Sequence, residues 1–308
     1  MSITHLLNAP WAVLPDRLPF IRDLLMHGGD DHATMRGPTR GPQASAAPAR
    51  ATPAASGSIA VLRLYGVLVP RASDFAEQFG LAGVQRFTQD FRAALADDSI
   101  GGILIDVDSP GGSVYGVMEL ANEIYQARSQ KPIFAVANSL AASAAFWVAS
   151  SASEFFVTTG GEVGSIGVAD LHTDVSGALN KVGISMTLVS AGKYKTEGNS
   201  FGPLTGEARA AMQTRIDAYY GAFTRNVARN RNVDVSKVRN GMGEGRTLSA
   251  QAARSENMVD GVATLDEVVN RLARRIGQPS SGPVRASVAP PSGTRAAARQ
   301  RLIERLSL

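Results

Sequence analysis

A serine and a lysine in this chain form a pair that could carry out acyl transfer. Ser143 opens a run of small residues, and Lys195 follows 52 positions later in Gly-Lys-Tyr-Lys. A serine hydroxyl needs a base before it can attack a carbonyl. A lysine amine can be that base once desolvation lowers its pKa from about 10.4 toward 7–8. Lys193 shares a face with Lys195 in an extended segment, and an isolated lysine is usually a surface charge. Ser139 is a rival nucleophile, although an N-cap role suits it better.

Candidate oxyanion donors lie in the turn that runs from Asp108 through Ser-Pro-Gly-Gly to Ser113. Gly111 and Gly112 carry no Cβ, so their backbone N–H groups can point into a cleft and bind an oxyanion. The N–H of Ala144, at the start of a predicted helix, is a further candidate donor. Taken alone, a Pro-Gly-Gly turn is usually only a turn.

A histidine offers an alternative base. His172 lies 29 residues after Ser143 and is flanked by Asp170 and Asp174, so a Ser-His-Asp triad stays open beside a structural role for the ring. The other three histidines lie within the first 32 residues and form no metal constellation. The chain has no cysteine, which excludes disulfides, thiolate metal sites and a cysteine nucleophile. We expect neither a metal nor a cofactor.

Alternating strand and helix patterns must position these residues. Apolar, β-branched runs predict strands at 58–69, 101–109, 132–138, 154–159 and 184–190. Helical patterns occupy 81–97, 114–128, 141–152, 179–182 and 205–230. This alternation predicts an α/β fold of repeated βαβ units, in which functional groups gather where strands end.

Composition divides the chain into four parts. Residues 1–27 form an N-terminal arm, predicted to be helical over 3–26 with interruptions at Pro15 and Pro19. Residues 28–57 are a Gly-, Pro- and Ala-rich segment predicted to be a disordered linker. The folded domain is predicted at 58–277. Residues 278–308 are predicted to be a flexible basic tail whose end favours a short amphipathic helix.

Charge and hydropathy exclude a membrane span and favour a soluble chain. No run reaches the roughly 18 consecutive apolar residues that a spanning helix needs, and the charged and proline residues of the first 25 positions do not fit a signal peptide. We therefore expect a cytoplasmic protein. The net charge of +4 matches that of the tail, which has five arginines and one glutamate. We expect no nucleic-acid partner except through this tail.

Taken in chain order, these motifs resemble one enzyme family. The Asp108–Gly112 turn, the Ala-Ala-Ser143 helix start, the Gly-Ser-Ile-Gly-Val turn at 164–168 and the Gly-x-Tyr-Lys195 segment resemble peptidase family S49. That family comprises the signal peptide peptidase A group and bacteriophage relatives that act as head maturation proteases. The resemblance covers about Ser58 to Asp266, which implies that the domain at 58–277 is a serine protease domain.

The resemblance implies a ClpP/crotonase-type fold and a Ser–Lys dyad. In it Ser143 is the nucleophile, Lys195 is the general base, and backbone N–H groups of Gly111 or Gly112 and of Ala144 hold the oxyanion. This chain departs from the family in one place, since alanines follow Ser143 where many members have two glycines. An alanine still offers its N–H, but its Cβ narrows the cleft.

The resemblance also implies partners. The opening residues 7–12 resemble those of the phage members, which favours capsid maturation with scaffold and capsid proteins as substrates, in the host cytoplasm or the prohead. Homo-oligomerisation is expected through the resemblance alone. The alternatives are a cellular signal-peptide-peptidase-like enzyme, a non-cleaving scaffold or assembly protein, and a crotonase-like acyl-CoA enzyme. Self-cleavage within residues 44–57 is a further hypothesis.

Overall fold

The computed structural model of this chain describes residues 10–14, 57–73, 76–77 and 80–277, and the backbone of 287–288. Its strands are β1 (Trp11–Val13), β2 (Ser58–Tyr65), β3 (Val67–Val69), β4 (Leu81–Gly83), β5 (Ile100–Ser109), β6 (Gly111–Ser113), β7 (Ile133–Ala142), β8 (Glu154–Val157), β9 (Glu162–Gly164), β10 (Thr247–Ser249), β11 (Gly261–Val262) and β12 (Ser287–Val288). Its helices are α1 (Val84–Ala96), α2 (Val117–Ala127), α3 (Ala144–Ala149), α4 (Ser176–Lys181), α5 (Gly206–Arg231), α6 (Val235–Asn240), α7 (Ala250–Ser255) and α8 (Leu265–Arg275).

The main sheet is built from parallel strands joined by helices. Its order is β10-β9-β7-β5-β2-β12, with β8 beside β7 and β11 beside β8. The β2–β5, β5–β7, β7–β8 and β7–β9 pairs are parallel, and β10 is antiparallel to β9. Parallel neighbours need crossover connections, and α1, α2 and α3 lie in the connections between β2, β5, β7 and β8. The predicted α/β class with repeated βαβ units is confirmed.

Side chains from both faces of the sheet are buried, as a covered parallel sheet requires. Along β5 the side chains alternate, so Ile103 and Ile105 join the core under α1, α2, α3 and α5. Leu104 joins Phe134 and Leu272 in a second core between the sheet and α8. Helix α8 begins with a capping box in which Thr264 and Glu267 satisfy each other's backbone N–H groups.

A smaller sheet covers the carboxyl end of β5. Its order is β1-β6-β3-β4, and β6 follows β5 after a single proline. β1 runs antiparallel to β6, with Ala12 opposite Gly112. The helix predicted over 3–26 is therefore wrong for Trp11–Val13, which form a strand. Pro10 and Pro15 bracket this segment and disfavour a helix there.

The predicted strand at 184–190 is also wrong for the described chain. The segment has no regular secondary structure, and several of its apolar side chains are exposed. The strand predicted to end at 138 instead continues to Ala142, so the following helix begins at Ala144 rather than at 141. The 28–56 part of the predicted linker, and the predicted tail apart from Ser287–Val288, lie outside the described residues.

No helix in the part of the chain that the structure describes is both long and apolar enough to cross a membrane. The same residues contain no group of three or more His, Asp or Glu side chains placed to hold a metal ion.

Candidate active site

Ser143 stands at the junction between β7 and α3. Strand β7 ends at Ala142, and α3 is a short helix of small and aromatic residues that are all buried. Trp147 of this helix stacks on Phe223 of α5, with ring centroids 4.5 Å apart and an interplanar angle of 6°. Buried aromatic stacking fixes the helix, so the position of its first turn is set by the core. Ser143 is itself only 1% exposed.

The backbone of Ser143 is strained. Its φ is 55° and its ψ is −117°, in the left-handed half of the map that side chains rarely adopt. Its N–H donates to the Gly164 carbonyl at 2.6 Å, and its Oγ donates to the Gly167 carbonyl at 3.4 Å. The Oγ makes no capping bond to its own helix. Strain of this kind costs about 1–3 kcal/mol and is held only where surrounding structure imposes it.

Gly111 lies directly against this serine, and Gly112 lies against β3. A Cβ added to Gly111, whose φ is 95°, would lie 2.9 Å from the Ser143 Cβ and 2.9 Å from the Ala142 carbonyl oxygen. A Cβ added to Gly112 would lie 2.0 Å from the Leu68 carbonyl oxygen in β3. No side chain fits at either position, so Gly111 allows the β6 backbone to approach Ser143 closely, and Gly112 allows it to approach β3.

The two glycine N–H groups have different partners. Gly111 N–H donates to the Ser109 hydroxyl at 3.2 Å, and that hydroxyl donates to the Gly66 carbonyl at 2.6 Å. Gly112 lies opposite Ala12 of β1. The N–H of Ala144 is at the first position of α3, where a helix leaves its donors without an intrahelical acceptor. The structure thus brings Ser143, Gly111 and Ala144 together, with Gly112 next along β6.

Lys195 lies in a different environment. It belongs to an irregular segment and is exposed, and within the described residues its amine makes no hydrogen bond or ion pair with Ser143. Lys193, two residues earlier, donates to the Tyr194 hydroxyl at 2.7 Å and to Glu207 at 3.2 Å. The Tyr194 hydroxyl and the Glu207 carboxylate raise the pKa of the Lys193 amine, which is the wrong direction for a base.

The two alternative residues are engaged elsewhere. His172 lies 3.0 Å from the Asn199 carbonyl oxygen through its Nε2, and it makes no hydrogen bond with Ser143 in the described chain. Its neighbour Asp170 forms an ion pair with Arg215. Ser139 is exposed and donates to the Asp108 carboxylate at 2.7 Å.

A buried carboxylate near the end of β5 was not anticipated from the sequence. Asp106 is 3% exposed and accepts a short hydrogen bond from the Tyr65 hydroxyl of β2, while its Oδ1 has no partner at hydrogen-bond distance. Burial raises the pKa of Asp106, and hydrogen bonds from Tyr65 and Asn138 oppose that rise without cancelling it. Burial and the Asp106 carboxylate also raise the pKa of Tyr65. The sequence offered one signal for this buried carboxylate, because Asp106 interrupts the apolar run of the predicted strand.

The sequence of this chain is similar to those of known peptidases and phage proteins. The family model described as peptidase family S49 matches residues 125–278, which is half of the chain. The head-tail preconnector protein GP5 of Enterobacteria phage P21 is 34% identical over 215 residues, covering 70% of this chain and 42% of that protein. The capsid assembly protease C of Escherichia phage lambda is 34% identical over 212 residues, covering 69% of this chain and 46% of that protein.

This chain therefore spans less than half the length of these two relatives. The resemblance to S49 peptidases and their phage members, first drawn from the motifs around Ser143 and Lys195, is confirmed. The chain belongs to peptidase family S49, and it has the repeated parallel βαβ units that the sequence predicted.

Proposed function

We propose that this chain is a serine endopeptidase whose nucleophile is Ser143. The observation that carries the proposal is the strained serine at the β7–α3 junction, in contact with Gly111, which admits no Cβ. A strained turn between a strand and a helix, with backbone donors beside the hydroxyl, suits nucleophilic attack on a carbonyl. A crotonase-like acyl-CoA enzyme has no need of a serine in this conformation.

The reaction is acyl transfer to Ser143 followed by hydrolysis. A base takes the Ser143 proton, the Oγ attacks the peptide carbonyl, and the N–H groups of Gly112 and Ala144 stabilise the oxyanion. Gly112 suits this role better than Gly111, whose N–H is bound to the Ser109 hydroxyl. Loss of one such donor costs roughly 3 kcal/mol of transition-state stabilisation. The protonated base then donates to the leaving amine, and water releases the acyl group.

The base in this proposal is Lys195. The family resemblance assigns it, and its amine has no acceptor among the residues that the structure describes. The rivals are less suitable, because Lys193 is bound to Glu207 and His172 Nε2 faces the Asn199 carbonyl. An exposed lysine must lose solvent before its pKa falls far enough to accept a proton.

A second copy of this chain is proposed to supply that desolvation. Residues 182–189 alternate apolar and polar side chains, as a strand would, yet Ile184 and Met186 are about half exposed and Val189 is 94% exposed. Burying such side chains contributes roughly 1.5–3 kcal/mol each. In such a homo-oligomer, the second copy would hydrogen-bond to the backbone of residues 182–189 and bury their apolar side chains. It would also exclude water from the neighbouring Lys195, close to the Ser143 of one of the copies.

The proposed oligomer can be tested by light scattering after size exclusion. Leu188→Asp places a charge on the exposed apolar segment and is expected to lower both the mass of the assembly and the peptidase activity. The control is Ala210→Asp, on an exposed position of α5. An unchanged mass and activity for Leu188→Asp would contradict a role for this segment in assembly.

The substrates are proposed to be capsid and scaffold proteins of a phage. The support is similarity to the capsid assembly protease of phage lambda and the preconnector protein of phage P21. Action takes place in the host cytoplasm or the prohead. A non-cleaving assembly protein is the second candidate, since one of these relatives is named for its place at the head-tail connection.

A fluorophosphonate probe separates an enzyme from an inert scaffold. We expect it to modify Ser143 in the wild type and in Ser139→Ala, and to modify neither serine in Ser143→Ala. The modified residue is identified by peptide mass spectrometry. Modification at Ser139, or at no serine of a folded wild-type protein, would overturn the proposal.

A further inference from the structure

The strand Trp11–Val13 lies in a groove between two other segments of the chain. On one side it pairs antiparallel with β6, and on the other side it bridges to Ala169. Trp11 N–H donates to the Ala169 carbonyl at 2.8 Å, and Ala169 N–H donates to the Trp11 carbonyl at 2.8 Å. All three residues of the strand are buried, and Ala12 is 0% exposed. Extended peptides are held in this way when they add a strand to a receptor.

The register of β1 against β6 fixes where each peptide group points. Leu14 N–H donates to the Pro110 carbonyl at 3.0 Å, and Val114 N–H donates to the Pro10 carbonyl at 3.3 Å. Hydrogen-bonded pairs alternate along an antiparallel ladder, so the next such pair between these two is Ala12 with Gly112. The Gly112 N–H therefore donates to the Ala12 carbonyl.

That carbonyl lies close to the nucleophile. An ideal Cβ on Gly111 would be 2.3 Å from the Ala12 oxygen and 2.9 Å from the Ser143 Cβ, so both atoms border the same point. The carbonyl of Ala12 thus occupies the place where the Gly112 donor and Ser143 meet. A peptide awaiting attack would present its scissile carbonyl at this place.

We infer that residues 10–14 are a substrate-like segment bound in cis, and that Ser143 cleaves the Ala12–Val13 bond. The inference rests on the proposed function of Ser143. Residues 15–56 tether the segment to the domain, and a tether of this length keeps its local concentration in the range that intramolecular binding provides. Until it leaves, the segment competes with any other substrate for the groove.

The chemistry of this cleavage balances without a further reactant except water. Ser143 Oγ forms a bond to the Ala12 carbonyl carbon while its proton passes to the base. The Ala12–Val13 C–N bond then breaks, and the proton moves to the Val13 nitrogen, which becomes a new amino terminus. Water hydrolyses the Ala12 ester, releasing residues 1–12 and restoring the Ser143 hydroxyl.

The bound segment also predicts which residue is accepted before the scissile bond. The Ala12 side chain is enclosed, so the pocket before the scissile bond accepts a small residue and rejects a long one. It also places the cut far from residues 44–57, where the Gly-, Pro- and Ala-rich composition alone had suggested self-cleavage. The two sites release different lengths and are therefore separated by mass.

Intact mass spectrometry of the incubated full chain tests the cut. We expect the wild type to yield a chain that begins at Val13, and Ser143→Ala to remain whole. Ala12→Arg should slow this cut at least 100-fold, because the enclosed pocket has no space for the side chain. Ala210→Arg, with the same change on the exposed face of α5, should match the wild type.

Fluorophosphonate modification of Ser143 in the same samples separates the two proposals. A Ser143 that reacts with the probe while the chain shows no cut before Val13 would overturn the self-cleavage and leave the peptidase assignment standing. A Ser143 that reacts neither in the wild type nor in Ala12→Arg, from which the segment is expelled, would count against the peptidase assignment itself.

Hydrogen exchange tests the bound segment without any catalysis. In Ser143→Ala we expect protection of the Ala169 and Val114 amides, which donate to β1 and to the Pro10 carbonyl before it. Adding Ala12→Arg should expel the segment and speed exchange at both amides by at least tenfold. Rapid exchange at Ala169 in Ser143→Ala alone, with the core amides of β5 still protected, would overturn the bound segment.

Discussion

The surroundings of Ser143 and those of Lys195 are built in opposite ways. Ser143 is buried, strained and touched on several sides by backbone from β6 and from the turn at Gly164 and Gly167. Lys195 is exposed in an irregular segment whose apolar side chains also face outward. Packing within a single chain therefore encloses Ser143, whereas the same chain leaves Lys195 exposed.

This contrast separates the energetic roles of the two regions. Strain at Ser143 is sustained by the core, so substitutions there should change stability as well as activity. Substitutions at exposed residues change stability by about 0.5 kcal/mol or less. Lys195 itself should therefore affect activity while leaving the stability of the folded chain nearly unchanged.

Lys195→Ala is expected to have the largest effect. Removing a general base costs about 10²–10⁴-fold in rate, so cleavage of a protein substrate should fall about 1000-fold while the free energy of unfolding stays within about 0.5 kcal/mol. Lys193→Ala is the matched control, because its amine is bound to Glu207, and it should keep the wild-type rate within about twofold. Equal rates for the two variants would remove Lys195 from the mechanism, and a loss in His172→Ala alone would transfer the role of base to that histidine.

Gly112→Ala is expected to have the largest effect on stability. The added Cβ would meet the Leu68 carbonyl oxygen at 2.0 Å and its nitrogen at 2.5 Å, and both are backbone atoms of β3 that cannot rotate away. We expect a loss of about 3 kcal/mol in urea unfolding, together with loss of activity. Gly160→Ala is the control, since no atom lies within 4 Å of the Cβ it would add, and it should be nearly neutral. Similar losses in both variants would mean that β6 is not packed as tightly as the structure has it.

Ser143→Gly is expected to be more stable than Ser143→Ala. Both remove the hydroxyl, but only glycine adopts a φ of 55° without strain. Relief of about 1–3 kcal/mol exceeds the roughly 0.4–1 kcal/mol that glycine loses through a more flexible unfolded chain. A net difference of about 1 kcal/mol in favour of glycine should appear in urea unfolding.

Ser150 provides the matched comparison for that experiment. It ends α3 with an ordinary helical φ of −60°, so glycine there should be less stable than alanine by roughly 0.5–1 kcal/mol. The same sign at both positions would indicate that Ser143 is not strained.

The sequence predicted the surroundings of Ser143 better than those of Lys195 for a physical reason. Ser143 is surrounded by local backbone, so a strand end, a proline and two glycines in sequence were enough to predict the turn that places Gly111 beside it. The sequence did not predict the positive φ of Ser143, because serine has no intrinsic preference for that conformation and the core imposes it.

Two errors in strand prediction have a common cause. The alternation in 184–190 is typical of a strand, but the segment finds no partner strand in the described chain. Trp11–Val13 form a strand although the surrounding arm was predicted to be helical, because β6 and Ala169 offer unpaired backbone groups. Strand formation depends on a neighbour that is distant in sequence, and local propensity does not reveal it.

Asp106→Asn tests the buried end of β5, where the smallest effect is expected. Because burial raises the pKa of Asp106, the folded chain binds its proton more tightly than the unfolded chain. This contribution to stability is complete below the ordinary carboxyl pKa, near 4, and is lost as the pH rises through the raised value. The loss amounts to about 1.4 kcal/mol per unit of pKa difference. The amide introduced by Asp106→Asn does not ionise. As the pH rises above about 4, the unfolding free energy of the wild type should therefore fall relative to that of the variant.

The amide also replaces the Asp106 Oδ1, which lacks a hydrogen-bond partner, and this replacement alters stability at every pH. Only the pH dependence of the difference between variant and wild type therefore reports the titration of Asp106. Tyr65→Phe should change the pH dependence of stability in the direction opposite to Asp106→Asn. Its hydroxyl lowers the pKa of Asp106, so removing it should raise that pKa further and deepen the loss of stability with pH. Urea unfolding from pH 4 to pH 8 measures all three proteins. Parallel curves for the wild type and both variants would show that Asp106 titrates alike in the folded and unfolded chains, and that its carboxylate is less enclosed than the structure has it.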